Sequence, residues 1–331
     1  KTCKVIIFGM GTVGKDVVKA LDTKQGVEIV GALDKVNAGK DIGEISGLGR
    51  NLGIQVTDNA DELFSKTKAD VVFHLVTTSA KDTYEHIKKP IEEGMNVISS
   101  AEEMVDADYY SPESAVKIDE LARNYGVSVV GGGLWPTYVD IYLPLALSGG
   151  TREITRLEYR RKSDFKPYLQ SIVLGKFGLN FTKADFEKGL ADGTIAGHTG
   201  FEGTFNVFAD LFGWKLERVE KNCVGYFDDN DVTVSVKHTA TGYCDGEPRL
   251  YNEIWGSIED DWAPSDTVVI EGNPSIKMTI DPGVVGTVPV ANCLVNQLPF
   301  ILNAKPGLLK KPLMGMYAFD GHVMNHVNLE K

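Results

Sequence analysis

Apolar residues near the start of the chain are arranged in two ways that predict a strand followed by a helix. Residues 5–8, Val-Ile-Ile-Phe, form a continuous apolar run of the kind found in a buried parallel strand. Val17, Val18 and Leu21 instead recur at helical spacing. The segment Gly-Met-Gly-Thr-Val-Gly at 9–14 lies between them, so the pattern predicts a strand, a tight turn and a helix.

The same alternation continues through the first 136 residues. The apolar runs that predict further strands lie at 27–33, 70–76, 96–100 and 126–130. Helical spacing at 81–94, and again after Ser111, predicts helices between them. Residues 39–49 are rich in glycine and predict a surface loop. Strands that alternate with helices require right-handed crossovers, so we predict an α/β Rossmann domain with a parallel sheet.

From residue 138 the pattern changes to long alternating runs separated by turn dipeptides, which predicts a mostly antiparallel sheet with one buried face. These runs lie at 152–162, 232–238, 250–258 and 275–280. Two helices are predicted within this region, one from Thr182 to Leu190 and one at 203–212.

Helical spacing returns at 288–302, and we expect this segment to pack back on the first sheet. The sequence therefore predicts two domains, of which the first is discontinuous. Residues 1–136 with 288–331 form the Rossmann domain, and residues 137–287 form an α+β domain.

Composition and charge exclude several classes of protein. A chain of 331 residues with 43% hydrophobic content can bury a core in each domain. The net charge of −12 opposes binding to nucleic acid or to an anionic membrane. No apolar run approaches the roughly 18 residues of a membrane span, and the first strand leaves no room for a signal peptide. With four scattered cysteines that we interpret as reduced thiols, we expect a soluble, cytoplasmic protein.

The glycine motif between the first strand and the first helix predicts a dinucleotide site. Gly9 permits the tight turn, Gly11 lets a pyrophosphate approach the backbone, and Gly14 lets the helix pack closely on the strand. Unpaired N–H groups at the helix N-terminus then face the phosphates. The residues of this motif that we assign to cofactor binding are Gly9, Met10, Gly11, Thr12, Val13 and Gly14.

Asp34 ends the second predicted strand, about twenty positions after the last glycine, where an acidic residue binds the ribose hydroxyls of NAD. Lys35 directly after it is suited to pair with the 2′-phosphate of NADP. The sequence therefore predicts a nicotinamide cofactor and leaves NAD and NADP both open. We expect no metal site, because His322 and His326 have helical spacing but no third ligand.

Polar residues follow the third and fourth predicted strands, and ligands of open parallel sheets bind beyond such strand ends. The hydroxyls of Thr77, Thr78 and Ser79 either line the path of the cofactor or cap the next helix. Ser100 and Ala101 follow the next strand and are also assigned to cofactor binding.

Glu102 and Glu103 come next and are the main catalytic candidates, because a carboxylate there can take or give a proton as hydride moves. Adjacent residues in extended geometry point in opposite directions. We therefore expect one glutamate to face the substrate and the other to cap or pair locally. The alternative is that both belong to a solvated helix start.

Trp135 and Pro136 follow the last strand of the first domain, where the tryptophan is either a wall of a substrate pocket or a core residue. Among the histidines, His74 lies inside a buried strand and is expected to be a hydrogen-bonded core residue. His198 lies between glycines that would let it reach a pocket, and His238 ends a strand.

Several motifs together carry a family resemblance. They are Gly-Met-Gly-Thr-Val-Gly at 9–14, Asp-Ile-Gly-Glu-Ile-Ser-Gly-Leu-Gly at 41–49, Asn-Val-Ile-Ser-Ser-Ala-Glu-Glu-Met at 96–104, Gly-His-Thr-Gly-Phe at 197–201 and the segment 238–247. With them the chain resembles the 2,4-diaminopentanoate dehydrogenases and the native NAD(P)-dependent amine dehydrogenases, within the wider dihydrodipicolinate-reductase-like superfamily. The resemblance covers nearly the whole chain.

This resemblance implies reversible reductive amination, in which a ketone or aldehyde condenses with ammonia and hydride reduces the iminium. It implies an acid–base role for a glutamate of the Ala-Glu-Glu-Met motif, which we assign to Glu102 first and to Glu103 second. It also implies a homodimer joined through the second domain, which would then serve in substrate binding and dimerisation. The residues of that domain that we expect to wall the pocket are Tyr159, Tyr168, Phe177, His198 and His238.

Trp135 departs from the family pattern, because diaminopentanoate dehydrogenases have a small or polar residue such as Asn before this proline. An indole makes a pocket smaller and drier. We therefore expect compact substrates without a carboxylate, namely small aliphatic or cyclic ketones and aldehydes. The alternatives are a 2,4-diaminopentanoate dehydrogenase, another Rossmann oxidoreductase of the dihydrodipicolinate reductase or homoserine dehydrogenase type, and a cofactor-sensing protein without turnover.

Overall fold

The computed structural model describes residues 1–166, 172–309, 318–319 and 321–328. The chain divides into two units. Unit 1 comprises Lys1–Tyr138 and Thr287–Lys331, and unit 2 comprises Val139–Gly286. The C-terminal part of the chain therefore belongs to the same unit as the N-terminal part.

Unit 1 is built on a sheet that has seven strands within the described residues. They are β1 (Cys3–Phe8), β2 (Val27–Leu33), β3 (Val56–Thr57), β4 (Val71–His74), β5 (Asn96–Ser99), β6 (Ser128–Gly131) and β13 (Gly307–Leu309). Their order is β13-β6-β5-β4-β1-β2-β3, and every neighbouring pair is parallel. This sheet confirms the predicted Rossmann architecture.

Helices lie on both faces of this sheet. They are α1 (Thr12–Asp22), α2 (Ile42–Ile45), α3 (Ala60–Lys66), α4 (Ala80–Glu92), α5 (Ala107–Tyr110), α6 (Pro112–Tyr125), α11 (Thr287–Val295) and α12 (Leu298–Asn303). Side chains of a strand alternate between its two faces. Accordingly, Val5 and Ile7 of β1 pack in one cluster with Val17 of α1, whereas Ile6 packs in another with Phe64 of α3.

The segment 288–302, predicted as one helix, forms the two helices α11 and α12. Pro299 lies in the first turn of α12, where its missing N–H is tolerated. Inside a continuous helix its ring would clash with the carbonyl four residues earlier. Leu294 and Leu298 still pack against the sheet as expected. Strand β13, which follows α12, was not predicted.

Residues 39–49, predicted as a surface loop, include the helical turn α2 with a fully buried Ile42, so that prediction was wrong in part. Asp41, also buried, holds this region together through its carboxylate. That carboxylate accepts the backbone N–H groups of Gly43 at 2.8 Å, Leu52 at 2.9 Å, Gly53 at 2.8 Å and Ile54 at 3.1 Å. The side chain of Asp41 thus accepts four backbone N–H groups that have no partner in a regular helix or sheet.

Unit 2 is built on a second sheet, with six strands within the described residues. They are β7 (Ile154–Asp164), β8 (Leu216–Phe227), β9 (Thr233–Cys244), β10 (Glu247–Ser257), β11 (Ser265–Gly272) and β12 (Ile276–Ile280). Their order is β12-β11-β7-β10-β9-β8, and only the pair β7 and β10 is parallel among them. The sheet is mostly antiparallel, as predicted. Strands β8 and β11 were missed.

The sheet of unit 2 has a buried inner face and a half-exposed outer face. Along β10, Leu250 and Ile254 are buried, whereas Tyr251 and Trp255 on the opposite side are partly exposed. The helices of this unit are α7 (Leu143–Ser148), α8 (Ile172–Phe177), α9 (Lys183–Asp192) and α10 (Phe201–Phe212). Phe205 of α10 packs directly on the backbone of β9, because a Cβ atom on Gly242 would lie 2.8 Å from its ring. Phe201, Phe205 and Phe208 of α10 are buried core residues of unit 2, whereas Phe212 at the end of the helix is partly exposed.

No helix within the described residues is both long enough and apolar enough to cross a membrane.

Candidate active site

The glycine loop after β1 closes tightly on itself and on the end of β4. Gly9 has φ of +111°, a conformation that only glycine adopts easily. A Cβ atom on Gly9 would lie 2.6 Å from Cγ1 of Val76, and one on Gly14 would lie 2.0 Å from the carbonyl oxygen of Gly9. These two glycines are therefore required by the packing of the loop itself.

Gly11 is different, because a Cβ atom there would meet no atom within 4 Å. Gly11 is the N-cap of α1, and no side chain caps that helix end. The first backbone N–H groups of α1, from the exposed Thr12 and the partly exposed Val13 onward, face this open space. Met10 is fully buried and offers only its backbone. An open helix N-terminus beside a glycine fits the pyrophosphate of a dinucleotide.

Asp34, just after β2, connects the end of that strand to the glycine loop. Its Oδ2 accepts the N–H of Met10 at 2.8 Å, and its Oδ1 accepts the N–H groups of Val36 and Asn37, both at 2.9 Å. Burial alone raises the pKa of Asp34, but these hydrogen bonds outweigh it and leave the pKa below its usual value of 3.8. An ionised carboxylate with remaining lone pairs fits the ribose hydroxyls of a nicotinamide cofactor. Lys35 is exposed beside it.

The three polar residues after β4 mainly organise the start of α4. Ser79 is the N-cap, and its hydroxyl accepts the N–H of Asp82 at 3.3 Å. The hydroxyl of Thr77 accepts the N–H of Ser79 at 3.1 Å. Thr78 is exposed, and its carbonyl accepts the N–H of Glu103 at 3.1 Å. Of the two roles left open for these hydroxyls, helix capping is present in Ser79, and Thr77 supports it by holding the N–H of that cap residue.

The turn after β5 carries the two candidate glutamates. They lie in a 3₁₀ helix, Glu102–Asp106, rather than in the extended geometry that was predicted, because the carbonyl of Ala101 accepts the N–H of Met104 at 3.1 Å. Glu103 Oε2 accepts the N–H of Ala80, the first residue of α4, at 2.8 Å. One carboxylate of the pair is thus engaged locally at a helix N-terminus.

The residues directly before these glutamates offer less to a ligand than the sequence suggested. Ala101 is 2% exposed, and its N–H donates to the hydroxyl of Ser99 at 3.2 Å. Ser100 is partly exposed, and its N–H donates to the carbonyl of His74 at 2.9 Å. Ala101 therefore positions the turn through its backbone.

Trp135 and Pro136 follow β6 and are joined by a cis peptide bond. Trp135 has extended backbone angles, with φ of −118° and ψ of 138°, inside the otherwise helical segment Leu134–Tyr142. A residue before proline is biased toward this region. Pro136 is buried and Trp135 is partly exposed, so the indole has an accessible part in unit 1.

Unit 2 contains a cluster of three residues that the sequence named separately, Phe177, His198 and His238. The N–H of His198 donates to Nδ1 of His238 at 3.1 Å, and the ring of Phe177 lies 5.9 Å from that of His238 and 6.4 Å from that of His198. This approach requires Gly197, because a Cβ atom there would lie 1.3 Å from Cε1 of His238. Burial, followed by the charges of Lys221 and Lys176, lowers the pKa of His238 to about 4, so it is neutral at physiological pH.

Tyr159 lies elsewhere in unit 2, in its packed interior, where it is fully buried and its hydroxyl donates to Asp266 at 2.6 Å. That position differs from the pocket wall that we expected, because Asp266, 107 residues away, provides a buried acceptor. Tyr168 lies outside the described residues.

Two buried polar groups were not singled out in the sequence. The fully buried Asp140 accepts the side-chain amide of Asn252 at 2.8 Å and 2.9 Å, and burial raises the pKa of Asp140 well above its usual value. His74 is fully buried and hydrogen-bonded, as expected, but its partner His86 was overlooked. Neither pair has a local sequence signal, because its members lie on different elements.

Within the described residues, no group of three His, Cys, Asp or Glu side chains is arranged to hold a metal ion. Nδ1 of His322 accepts the backbone N–H of Met324 at 3.2 Å.

Comparison with known proteins gives two family matches. Residues 138–327 match the model of the 2,4-diaminopentanoate dehydrogenase C-terminal domain, and residues 3–104 match that of the dihydrodipicolinate reductase N-terminus. The chain is 32% identical over 326 residues to 2,4-diaminopentanoate dehydrogenase from Acetoanaerobium sticklandii, with 92% of this chain and 91% of the relative covered.

Two further similarities concern amine dehydrogenases. The chain is 23% identical over 337 residues to the amine dehydrogenase of Streptomyces virginiae, with 92% of this chain and 93% of the relative covered. The structure of amine dehydrogenase from Mycobacterium smegmatis has the same fold, with a TM-score of 0.81 at 20% identity over 94% of this chain and 95% of that chain. The chain therefore belongs to the 2,4-diaminopentanoate dehydrogenase family and is an NAD(P)-dependent oxidoreductase that acts on CH–NH2 groups.

Proposed function

We propose that this enzyme catalyses the reversible reductive amination of small aliphatic or cyclic ketones and aldehydes with ammonia, and that Glu102 is its acid–base residue. The observation that carries this proposal is the position of Glu102 directly after β5, at the carboxyl edge of the parallel sheet of unit 1, where the ligands of such sheets bind. Glu103, whose carboxylate accepts the N–H of Ala80, is the second candidate.

In the proposed reaction a carbonyl compound, ammonium, a proton and reduced cofactor become an ammonium product, water and oxidised cofactor. The bound cofactor supplies hydride to the iminium carbon. Glu102 takes a proton from ammonium, which frees the nitrogen lone pair for attack on the carbonyl carbon. It then returns a proton to the carbinolamine oxygen, which leaves as water, and its negative charge stabilises the iminium.

One observation supports a substrate without a carboxylate. The partly exposed Trp135, directly after β6 in unit 1, offers the apolar surface of its indole.

The second candidate is the oxidative deamination of 2,4-diaminopentanoate, the substrate in the name of the relative from A. sticklandii. What supports it is the 32% identity of this chain to that relative, with 92% of this chain and 91% of the relative covered.

Steady-state assays decide between the candidates. We expect turnover of cyclohexanone with ammonia and either NADH or NADPH to exceed turnover of 2,4-diaminopentanoate. Turnover of the diamino acid alone would exclude the first candidate.

We also propose that two copies of the chain associate through the outer face of the unit 2 sheet. The indole of Trp255 on this face stacks with Tyr226 and lies 4.1 Å from the ammonium of Lys237. Aromatic side chains such as Trp and Tyr are enriched at protein interfaces. Analytical ultracentrifugation should report a dimer for the wild type and a monomer for Trp255→Glu, whereas a monomeric wild type contradicts the proposal.

A further inference from the structure

A chain of three hydrogen-bonded polar side chains lies on one face of the sheet of unit 1, next to the turn that carries Glu102. The ring nitrogens of His74, on β4, lie 3.0 Å from the hydroxyl of Ser99, at the end of β5, and 3.1 Å from Nδ1 of His86, on α4. His74 and Ser99 are fully buried, and His86 is half-buried. The chain therefore runs from the edge of solvent to the protein interior.

The inner end of this chain fixes the start of the candidate catalytic turn. The hydroxyl of Ser99 accepts the N–H of Ala101, the residue directly before Glu102, at 3.2 Å. The carbonyl of Ala101 in turn accepts the N–H of Met104, which closes the 3₁₀ turn. Any change in what the Ser99 hydroxyl donates or accepts therefore acts on the backbone that orients Glu102.

One arrangement of protons satisfies every member of the chain when His86 is neutral. In this arrangement the oxygen of Ser99 accepts the N–H of Ala101, and the hydroxyl proton of Ser99 finds its acceptor in Nδ1 of His74. His74 then carries its proton on Nε2 and donates it to Nδ1 of His86, whose own proton lies on Nε2. Each hydrogen bond points outward from Ser99 to His86.

Protonation of His86 reverses these directions. Both ring nitrogens of an imidazolium are donors, so Nδ1–H of His86 would then meet Nε2–H of His74. The conflict is removed when His74 moves its proton to Nδ1. His74 then donates to Ser99, and the hydroxyl proton of Ser99 loses its acceptor.

We propose that His86, His74 and Ser99 form a relay that positions Glu102, and that the protonation state of His86 sets the direction of its hydrogen bonds. The inference rests on the proposed role of Glu102. None of the three residues needs to touch substrate or cofactor, so they are positioning residues. The turnover of the enzyme then responds to a proton on a helix that packs behind the sheet.

The surroundings of His86 set the pH range of this response. Burial lowers its pKa below the usual 6.5, Asp82 opposes that shift, Lys35 adds to it, and Glu85 opposes it. His74 faces it from β4, and the ring of Phe8 on β1 lies 5.6 Å from it. Burial, followed by the charge of His86, lowers the pKa of His74 to about 3, so His74 stays neutral while His86 titrates. The relay therefore reverses as the pH falls through the pKa of His86, which lies below the usual 6.5.

The tautomer of His74 can be measured directly. Long-range 1H–15N spectra of the protein with 15N-labelled histidine should show His74 protonated on Nε2 at pH 8. The proton should move to Nδ1 as His86 titrates. In His86→Gln, whose side-chain oxygen still accepts from His74, the Nε2 tautomer should persist at every pH. A His74 tautomer that is independent of His86 overturns the relay. His322→Gln, far from the relay in sequence and bonded to Met324, is the control.

Kinetics test the coupling to Glu102. Ser99→Ala should lower kcat about tenfold or more with the cofactor KM nearly unchanged, because misplacement of a reacting group affects kcat most strongly. Ser99→Thr, which keeps the hydroxyl, should recover most of this loss. As the pH is lowered from neutral, kcat of the wild type should fall more steeply than kcat of His86→Gln. The relay is overturned if kcat of the two proteins falls identically with decreasing pH, or if Ser99→Ala has wild-type kcat.

Glu102→Gln separates this inference from the proposed function. If that variant keeps wild-type turnover, the role of Glu102 is wrong, even when the tautomer of His74 responds to His86. If Glu102→Gln is inactive but the Ser99 and His86 variants behave as wild type, the relay alone is wrong.

Discussion

Glu103 Oε2 accepts the backbone N–H of Ala80 at 2.8 Å, which ties the turn after β5 to the first residue of α4. A second hydrogen bond joins this turn to the residues just before α4, because the N–H of Glu103 donates to the carbonyl of Thr78 at 3.1 Å. Negative charge at a helix N-terminus also stabilises the helix dipole. These contacts give Glu103 a structural role at the start of α4, so we expect its substitution to affect stability.

We predict that Glu102→Gln abolishes turnover, whereas Glu103→Gln mainly lowers stability. The second change removes a charge from the N-terminus of α4, which should cost roughly 0.3–1 kcal/mol. Urea denaturation measures this loss, and cofactor titration should show wild-type affinity in Glu102→Gln. If Glu103→Gln is the inactive and fully stable variant, the two roles must be exchanged.

Substitutions at two glycines of the cofactor loop should have different effects, one on cofactor binding and the other on stability. A Cβ atom on Gly11 meets no atom of the protein, whereas one on Gly14 would lie 2.0 Å from the Gly9 carbonyl oxygen. We therefore expect Gly11→Ala to unfold at the wild-type temperature but to bind NAD(P)H weakly. Gly14→Ala should melt at a lower temperature with or without cofactor. Thermal unfolding and fluorescence titration check both, and cofactor affinity unchanged in Gly11→Ala would contradict the assignment of the pyrophosphate.

Asp34 and Lys35 should discriminate between the two cofactors in opposite directions. The ionised carboxylate of Asp34 favours ribose hydroxyls and repels a 2′-phosphate, so Asp34→Ser should weaken NADH binding by about tenfold, equivalent to about 1.4 kcal/mol. Lys35→Ala should weaken NADPH binding and leave NADH binding unchanged. The Kd values of both cofactors for both variants provide the measurement. Equal losses for NADH and NADPH would indicate that Asp34 acts only by holding the loop through Met10.

Asp41 should give stability that depends on pH. Hydrogen bonds from backbone N–H groups, of which that of Leu52 has the largest effect, lower the pKa of the Asp41 carboxyl below the usual 3.8. The folded state therefore favours the ionised form. Its contribution is therefore present above pH 3.8 and is lost as the pH falls through the lower folded-state pKa. The difference in unfolding free energy between the wild type and Asp41→Asn should be large at pH 7 and should shrink in acid. A difference that is constant with pH would show that the charge of Asp41 is not responsible.

Local patterns predicted the elements that repeat a single periodicity over a buried face. Strand β1 and helix α1 were predicted because one is continuously apolar and the other has apolar residues on one side only. The edge strands β8 and β13 were not predicted in this way, although the edge strand β12 was. Every residue of β8 is at least partly exposed, so no buried face imposes a period on its sequence, and β13 has only three residues, too few to show one. The interior strand β11 was missed although its buried and partly exposed residues alternate.

The sequence by itself determined the fold class and the position of the glycine loop, and its motifs identified the family. These properties are local, because strands, helices and a tight glycine turn each depend on neighbouring residues. Only the tertiary structure decided which side chains meet. The contact of Glu103 with Ala80, the chain from Ser99 to His86, and the approach of His198 to His238 join residues that lie on different elements. Such hydrogen bonds depend on the order and register of the strands, and no short segment of the chain encodes them.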